Sequence, residues 1–268
     1  MTTGLASSLD AATAYPQRRR AGSIVFRFGF VYWMLFCLQV TSTQVNGFDW
    51  LAKVSDPVRD AVDQCFAEHI LRLPAPLELL NKDTGDKTAD WIWLLVIASV
   101  AAIAAVVWSV LDRRCAHDDR LRDLLRTVMR YTVAYVLFGY GISKLWVDQI
   151  QPLSPGNLAQ RIGDASPMGL LWTFMGASRA YTAFAGAAEV IGALLLLSRR
   201  TTLLGALILA GVLLNVVLLN FCYDVPVKIN STHYFAITEA RCDQVSEATV
   251  QDALRGPSSE RSSLTCEW

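Results

Sequence analysis

WIWLLVIASVAAIAAVVWSVL, residues Trp91 to Leu111, holds no ionisable side chain. A hydrocarbon core about 30 Å thick needs roughly 20 apolar residues at about 1.5 Å per residue, so this stretch is long enough to cross a bilayer as one helix. Working outward, four further windows qualify or nearly qualify: 24–40, 129–147, 180–197 and 201–222. The first carries Arg27, the second Lys144, the third Glu189, and the fourth Asn215 and Asn220. Lipid offers no partner to a backbone N–H or C=O, so all five are expected to be helices.

The whole chain agrees. Of 268 residues 53% are hydrophobic and only 18% charged, and the mean hydropathy is +0.33. Lys plus Arg is 24 and Asp plus Glu is 24. A zero net charge removes the electrostatic footprint of a nucleic-acid binder, and the apolar content excludes disorder for most of the chain. The expected fold is all-α: a polytopic transmembrane bundle of about five spans with amphipathic interfacial helices.

Basic residues of short loops set orientation. Arg18, Arg19, Arg20 and Arg27 precede or open the first span; Arg113, Arg114, Arg120, Arg122, Arg126 and Arg130 fill the link before the third; Arg199 and Arg200 form the turn between the fourth and fifth. These alternate onto one side, which predicts a multi-pass protein of the bacterial inner membrane. Its segment 1–23 and N-terminus lie in the cytoplasm. The first window is too long, and lacks the small-residue cleavage site, for a removed signal peptide.

Outside, the loop 43–88 contains Val58, Val62, Phe66 and Ile70 spaced four apart within Val54–Leu73, an amphipathic helix for the membrane surface or the bundle mouth. Pro74 and Pro76 should stop it. Ser154-Pro155 and Ser166-Pro167 read as N-cap followed by proline at the first helical position. The second pair should open a short apolar helix, Met168 to Phe174, anchored in the interface by Trp172. Trp50, Trp91, Trp93 and Trp146 fit an outer aromatic belt.

Intramembrane ionisable groups cost about 2.5–3.5 kcal/mol on insertion scales, so each needs a partner or a task. Counting along straight helices puts Tyr140 and Glu189 roughly 14 Å from the inner edge, with Lys144 and Asn215 at about 21–22 Å. Arg179, Asp148 and Asn220 fall near the outer surface, at roughly 27–30 Å. Ala185, Gly186, Gly192 and Ala193 surround Glu189 at helical spacing and let a neighbour approach closely; Gly211 stands one turn from Asn215 in the same sense. Two readings stay open. Tyr140, Lys144, Glu189 and Asn215 form a site that binds a polar head group or relays protons, or Lys144 snorkels and Glu189 merely ties the bundle together. Arg179, Asn220, Cys222 and Asp224 form an outer tier of candidates, with Cys222 the thiol to test for reactivity.

No metal site is expected, because His69, His117 and His233 are not paired at ligand spacing. The six cysteines show no CxxC, and their pairings cannot be deduced from spacing. P-loop, dinucleotide and nucleophile-elbow motifs are absent from the sequence.

The runs Phe138-Gly139-Tyr140-Gly141-Ile142-Ser143-Lys144-Leu145 and Ala187-Ala188-Glu189-Val190-Ile191-Gly192-Ala193-Leu194-Leu195-Leu196 resemble the DoxX family of small bacterial membrane proteins. Asn220-Phe221-Cys222-Tyr223-Asp224-Val225-Pro226-Val227-Lys228 resembles its long-form members. The resemblance covers about 125–235 and implies a four-span core. It also implies a link to quinone-dependent or thiol redox systems, with Lys144 and Glu189 matching the family's polar motif. Long-form members continue past Ser231 and His233 into another span. Here the composition changes after Tyr234-Phe235-Ala236, so 236–268 is expected to be a disordered tail, frameshifted or truncated, that has lost a sixth helix.

The leading expectation is a membrane component of a quinone-linked or thiol redox system: if an enzyme, an oxidoreductase component. Neither haem nor iron–sulfur ligands are recognisable, so no intrinsic cofactor is expected and a quinone or a partner's cofactor supplies the chemistry. The expected partners are the bilayer and a redox protein, with a homo-oligomer left open and no nucleic acid. The rivals are a non-enzymatic scaffold that docks a partner through the outer amphipathic helix, and a small proton-coupled transporter.

Overall fold

A computed structural model describes residues 3–44, 49–69, 72, 85–112, 118–146 and 149–255. Among these the regular structure is helical: α1 Thr3–Gln44, α2 Asp49–His69, α3 Thr88–Leu111, α4 Asp118–Trp146, α5 Pro155–Ala159, α6 Pro167–Ala177, α7 Arg179–Leu197, α8 Thr202–Cys222 and α9 Lys228–Arg255, with a 3₁₀ turn at Ile162–Asp164. The chain divides into two compact units, residues 1–132 and 133–268.

Four helical segments are long and apolar enough to cross a membrane: Ile24–Gln44 of α1, α3, α7 and α8. They carry exposed apolar side chains, such as Ile103, Val106, Phe184, Ile191, Leu207 and Leu218, the surface expected of helices that face lipid. The fifth expected span, 129–147, falls on α4. That helix is long, but Arg130, Lys144 and three tyrosines between them dilute its apolar run. Its crossing is therefore not established by length and apolarity.

In the first unit α1 packs on α3, and α2 lies against α3. Arg27, buried in α1, donates to the Asp112 carbonyl at 3.1 Å and pairs with the Asp112 carboxylate at 3.3 Å, and its guanidinium stacks 5.3 Å from the Trp108 ring. The amphipathic helix is present, with its charged side inward. Asp63 is buried, Arg59 pairs with it at 3.5 Å and with Asp90 at 2.7 Å, and the Arg59 guanidinium lies 5.3 Å from Trp93. Burial, opposed by Arg59, pushes the Asp63 carboxyl up to about 6. Phe66 packs on Ile92 and Val96, while Trp50, Val54, Val58 and Val62 are exposed. The Trp93 indole N–H donates to Gln39 at 2.7 Å. Ile70, Pro74 and Pro76 lie outside the described residues.

In the second unit the capping serines behave as read. Ser154 accepts from the Asn157 amide at 3.2 Å and Ser166 from the Gly169 amide at 3.1 Å. Trp172 is partly buried and packs beside the cluster of Ile150, Leu171, Met175 and Val225. Close contacts between α4 and α7 and between α7 and α8 depend on glycine. A Cβ at Gly141 would lie 2.6 Å from the Gly186 carbonyl oxygen, and one at Gly205 would lie 2.9 Å from that of Gly192. Gly211 is different, since a Cβ there meets nothing within 4 Å.

The expected disordered tail is corrected over 236–255. Helix α9 runs to Arg255, with Ile237 and Thr238 buried, and it packs on α8. The chain turns at Asp224 with a left-handed φ of 52°, Val225 N–H donates to Asn220 O at 3.0 Å, and Asn220 donates to Ser231 Oγ at 3.0 Å. Composition missed this helix because its residues past Ala240 are mostly polar. Residues 256–268 lie outside the described residues.

Candidate functional site

Lys144 near the end of α4 and Glu189 in the middle of α7 form a buried ion pair through Nζ and Oε1. Their residues are 9% and 2% exposed. The approach is possible because Gly186 and Gly141, facing each other, remove side-chain bulk beside the pair. Two such charges neutralise one another, but taking them out of water is unfavourable unless the remaining lone pairs are also satisfied. Glu189 Oε2 is buried and has no hydrogen-bond partner among the described residues. Buried carboxylate oxygens are normally partnered, so an orphan marks a place for a donor from elsewhere.

Beside the pair lies a cavity of about 270 Å³, near the lower end of the roughly 300–1,000 Å³ typical of small-molecule sites. Lys144, Glu189, Asn215, Asn220 and Gln149 supply its polar wall, and Leu171, Trp172, Met175 and Leu219 its apolar wall. Gly211 also lines it, which explains why nothing would meet a Cβ there. An apolar chamber with a few convergent polar groups is the usual form of a ligand site.

Three of the four inner candidates are thereby brought together: Lys144, Glu189 and Asn215 share the cavity, and Asn215 is exposed. Tyr140 is partly buried one turn before Lys144 and does not line the cavity. Of the outer tier, only Asn220 reaches it, and its amide is engaged by Ser231. Arg179 is exposed and donates to the Leu145 carbonyl at 2.7 Å. Cys222 is a free, exposed thiol away from the cavity lining. The Asp224 side chain is 82% exposed and pairs with Lys228 at 2.6 Å, one turn on. Gln149 and Trp172 belong to the site and are missed by sequence reasoning. Gln149 sits in an irregular loop, where its amide N–H donates to Ser143 O at 3.3 Å, and no spacing rule points to it. Among the described residues no group of three His, Cys, Asp or Glu side chains could hold a metal ion.

No family model matches this chain, and no solved structure matches it. Over 119 residues it is 36% identical to the Bacillus subtilis (strain 168) protein YwoB, itself described as uncharacterized; the match takes in 42% of this chain and 74% of YwoB. The chain belongs to the same family as YwoB.

Proposed function

We propose that this YwoB-family chain is the membrane component of a quinone-linked redox system, and that the cavity beside Lys144 and Glu189 holds the quinone-type head group. The observation that carries the reading is Glu189 Oε2, a buried acceptor without a donor at the wall of a mostly apolar cavity. A hydroxyl of a reduced head group is the donor it lacks. Asn215 offers an amide donor to the same space, and Trp172 and Leu171 suit the ring and its apolar tail. The quinone supplies the redox chemistry. Lys144 and Glu189 orient it and exclude bulk water, and the electrons come from a partner protein. The DoxX-like runs around Lys144 and Glu189 support this reading. The arginines at the α4 start and at Arg199–Arg200 support placement in a bacterial inner membrane with the N-terminus inside.

Saturable binding of a soluble quinol analogue to the purified protein in detergent tests the proposal. Wild type should bind, and Glu189→Gln should bind about tenfold more weakly, the loss of one charge-assisted hydrogen bond. Absence of saturable binding to wild type, or equal binding to both proteins, overturns it.

A scaffold role is favoured by a separate observation, the exposed apolar stripe Trp50, Val54 and Val58 on α2. If docking through α2 is the function, Val54→Asp with Val58→Asp abolishes recovery of a cross-linked partner while analogue binding is unchanged.

A further inference from the structure

Arg130 in α4 is a buried cation that the redox reading does not use. The two other buried basic residues among those described each have a carboxylate: Arg27 has Asp112 and Lys144 has Glu189. Arg59, partly buried, has Asp63 and Asp90, and of the partly buried lysines Lys87 also has an Nζ that is buried without a hydrogen-bond partner among the described residues. Arg130 is 7% exposed and meets no carboxylate among the described residues. Its Nη2 donates to Tyr131 Oη at 2.9 Å and its guanidinium lies 4.6 Å from that ring, while its Nε–H is buried and unpartnered. Arginine stays charged in proteins, and a buried charge without a counter-ion is strongly unfavourable. The guanidinium fork suits two oxygens of one anion.

A path leads to it. Arg122, Arg126 and Arg130 stand four residues apart, on one face of α4. Arg122 is exposed and lies 4.4 Å over the Phe26 ring, and Arg126 is 41% exposed and pairs with Asp123 at 3.1 Å. The ladder thus runs from solvent to a buried guanidinium about 12 Å further along the helix, with three cations against one facing acid among the described side chains. The Phe26 ring beside Arg122 and the exposed Tyr131 ring beside Arg130 give the path apolar flanks.

We infer that Arg130 is the inner end of a binding site for a phosphate group, approached along Arg122 and Arg126, and that its ligand is the head group of an anionic phospholipid. A phosphate offers two oxygens to Nε–H and Nη1–H of Arg130, and its acyl chains cover the aromatic flanks. The charge excess is the sign that the anionic leaflet surface attracts.

The full-length protein in a mild detergent is titrated with short-chain phosphatidylglycerol, short-chain phosphatidylcholine and inorganic phosphate, and binding is read by native mass spectrometry. Phosphatidylglycerol should bind saturably and Arg130→Gln should weaken it about tenfold or more. Arg126→Gln, at a half-exposed position, should weaken it about two- to fivefold. Arg130→Lys keeps the charge, loses the fork and falls between wild type and Arg130→Gln. Inorganic phosphate binding as tightly, with the same dependence on Arg130, assigns the phosphate site to a soluble anion and overturns the lipid as its ligand. Equal binding of the two lipids without a phosphate response overturns the site. So does unchanged binding in Arg130→Gln or, should that variant fail to fold, in Arg126→Gln.

Discussion

Two buried ionic clusters in this chain look alike and differ in one respect. In the first unit Arg59 holds Asp63 and Asp90 between α2 and α3; in the second Lys144 holds Glu189 between α4 and α7. Each leaves one buried carboxylate oxygen without a partner, Asp63 Oδ1 and Glu189 Oε2. The first cluster has two carboxylates for one guanidinium, so its spare oxygen is a titration problem. The second is a one-to-one pair at the wall of a cavity of about 270 Å³, so its spare oxygen is a binding opportunity.

The comparison is broken most sharply by removing one member of the second pair. Glu189→Leu strands Lys144 in a nearly water-free site and should cost about 3–5 kcal/mol, seen as a lower unfolding temperature in detergent. Adding Lys144→Met should restore most of that loss, because the double variant buries no charge. If the double variant is as unstable as the single, the pair does not behave as a unit.

The first cluster should respond to pH. The Asp63 carboxyl stands at about 6 when α2 is docked, against 3.8 for the free side chain. A raised value favours the protonated, docked form. The docking it supports is complete below about pH 4 and is lost as pH rises through about 6, by up to about 3 kcal/mol. Amide hydrogen exchange in α2 should be slower at pH 4.5 than at pH 7.5, after correction for intrinsic exchange. Asp63→Asn should remove the difference, and its persistence in that variant would place the titrating group elsewhere.

Packing separates two glycines of the second unit. Gly186→Val puts a Cβ 2.7 Å from the Gly141 carbonyl oxygen and should destabilise by about 1–3 kcal/mol. Gly211→Ala should be neutral or slightly stabilising, since open space receives the methyl and alanine is the better helix former. The smallest effect belongs to the exposed pair of Arg126 and Asp123: Asp123→Asn should change stability by less than about 0.5 kcal/mol, in the same unfolding assay.

Much of this was legible beforehand, for definable reasons. Trp91–Leu111 has one physical solution, and α3 occupies Thr88–Leu111. Ser154 and Ser166 cap helices because a hydroxyl before Pro at the first helical turn leaves the backbone little alternative. The cost of ionisable groups in lipid marked Lys144 and Glu189 as candidates, but their direct pairing was not legible. Counting along straight helices set Glu189 level with Tyr140 and Lys144 level with Asn215, and the alternative let Lys144 snorkel away, whereas the two form one buried ion pair. The inward face of α2 was not legible. Periodicity marked Val58, Val62 and Phe66 as an apolar stripe for the membrane surface or the bundle mouth, but it gave no sign that Arg59 and Asp63 turn inward, where Asp90 and Trp93 receive Arg59 and Arg59 receives Asp63. Gln149 and Trp172 were hidden for different reasons: Gln149 stands in an irregular loop, and Trp172 on a helix whose docking onto the cavity no local pattern encodes. Helix α9 past Ala236 was obscured by polar composition, although Ile237 and Thr238 are buried.

The central claim is that the cavity beside Glu189 is a ligand site, and filling it tests that claim most directly. Gly211→Leu projects a side chain from the cavity lining where nothing stands within 4 Å of a Cβ. The measurement is the unfolding temperature of wild type and of Gly211→Leu, each with and without a saturating quinol analogue. A ligand that binds only the folded protein stabilises it by mass action, so the analogue should raise the wild-type value and leave Gly211→Leu unmoved, with the two unliganded proteins equally stable. An equal rise in both proteins, or no rise in wild type, would contradict the account.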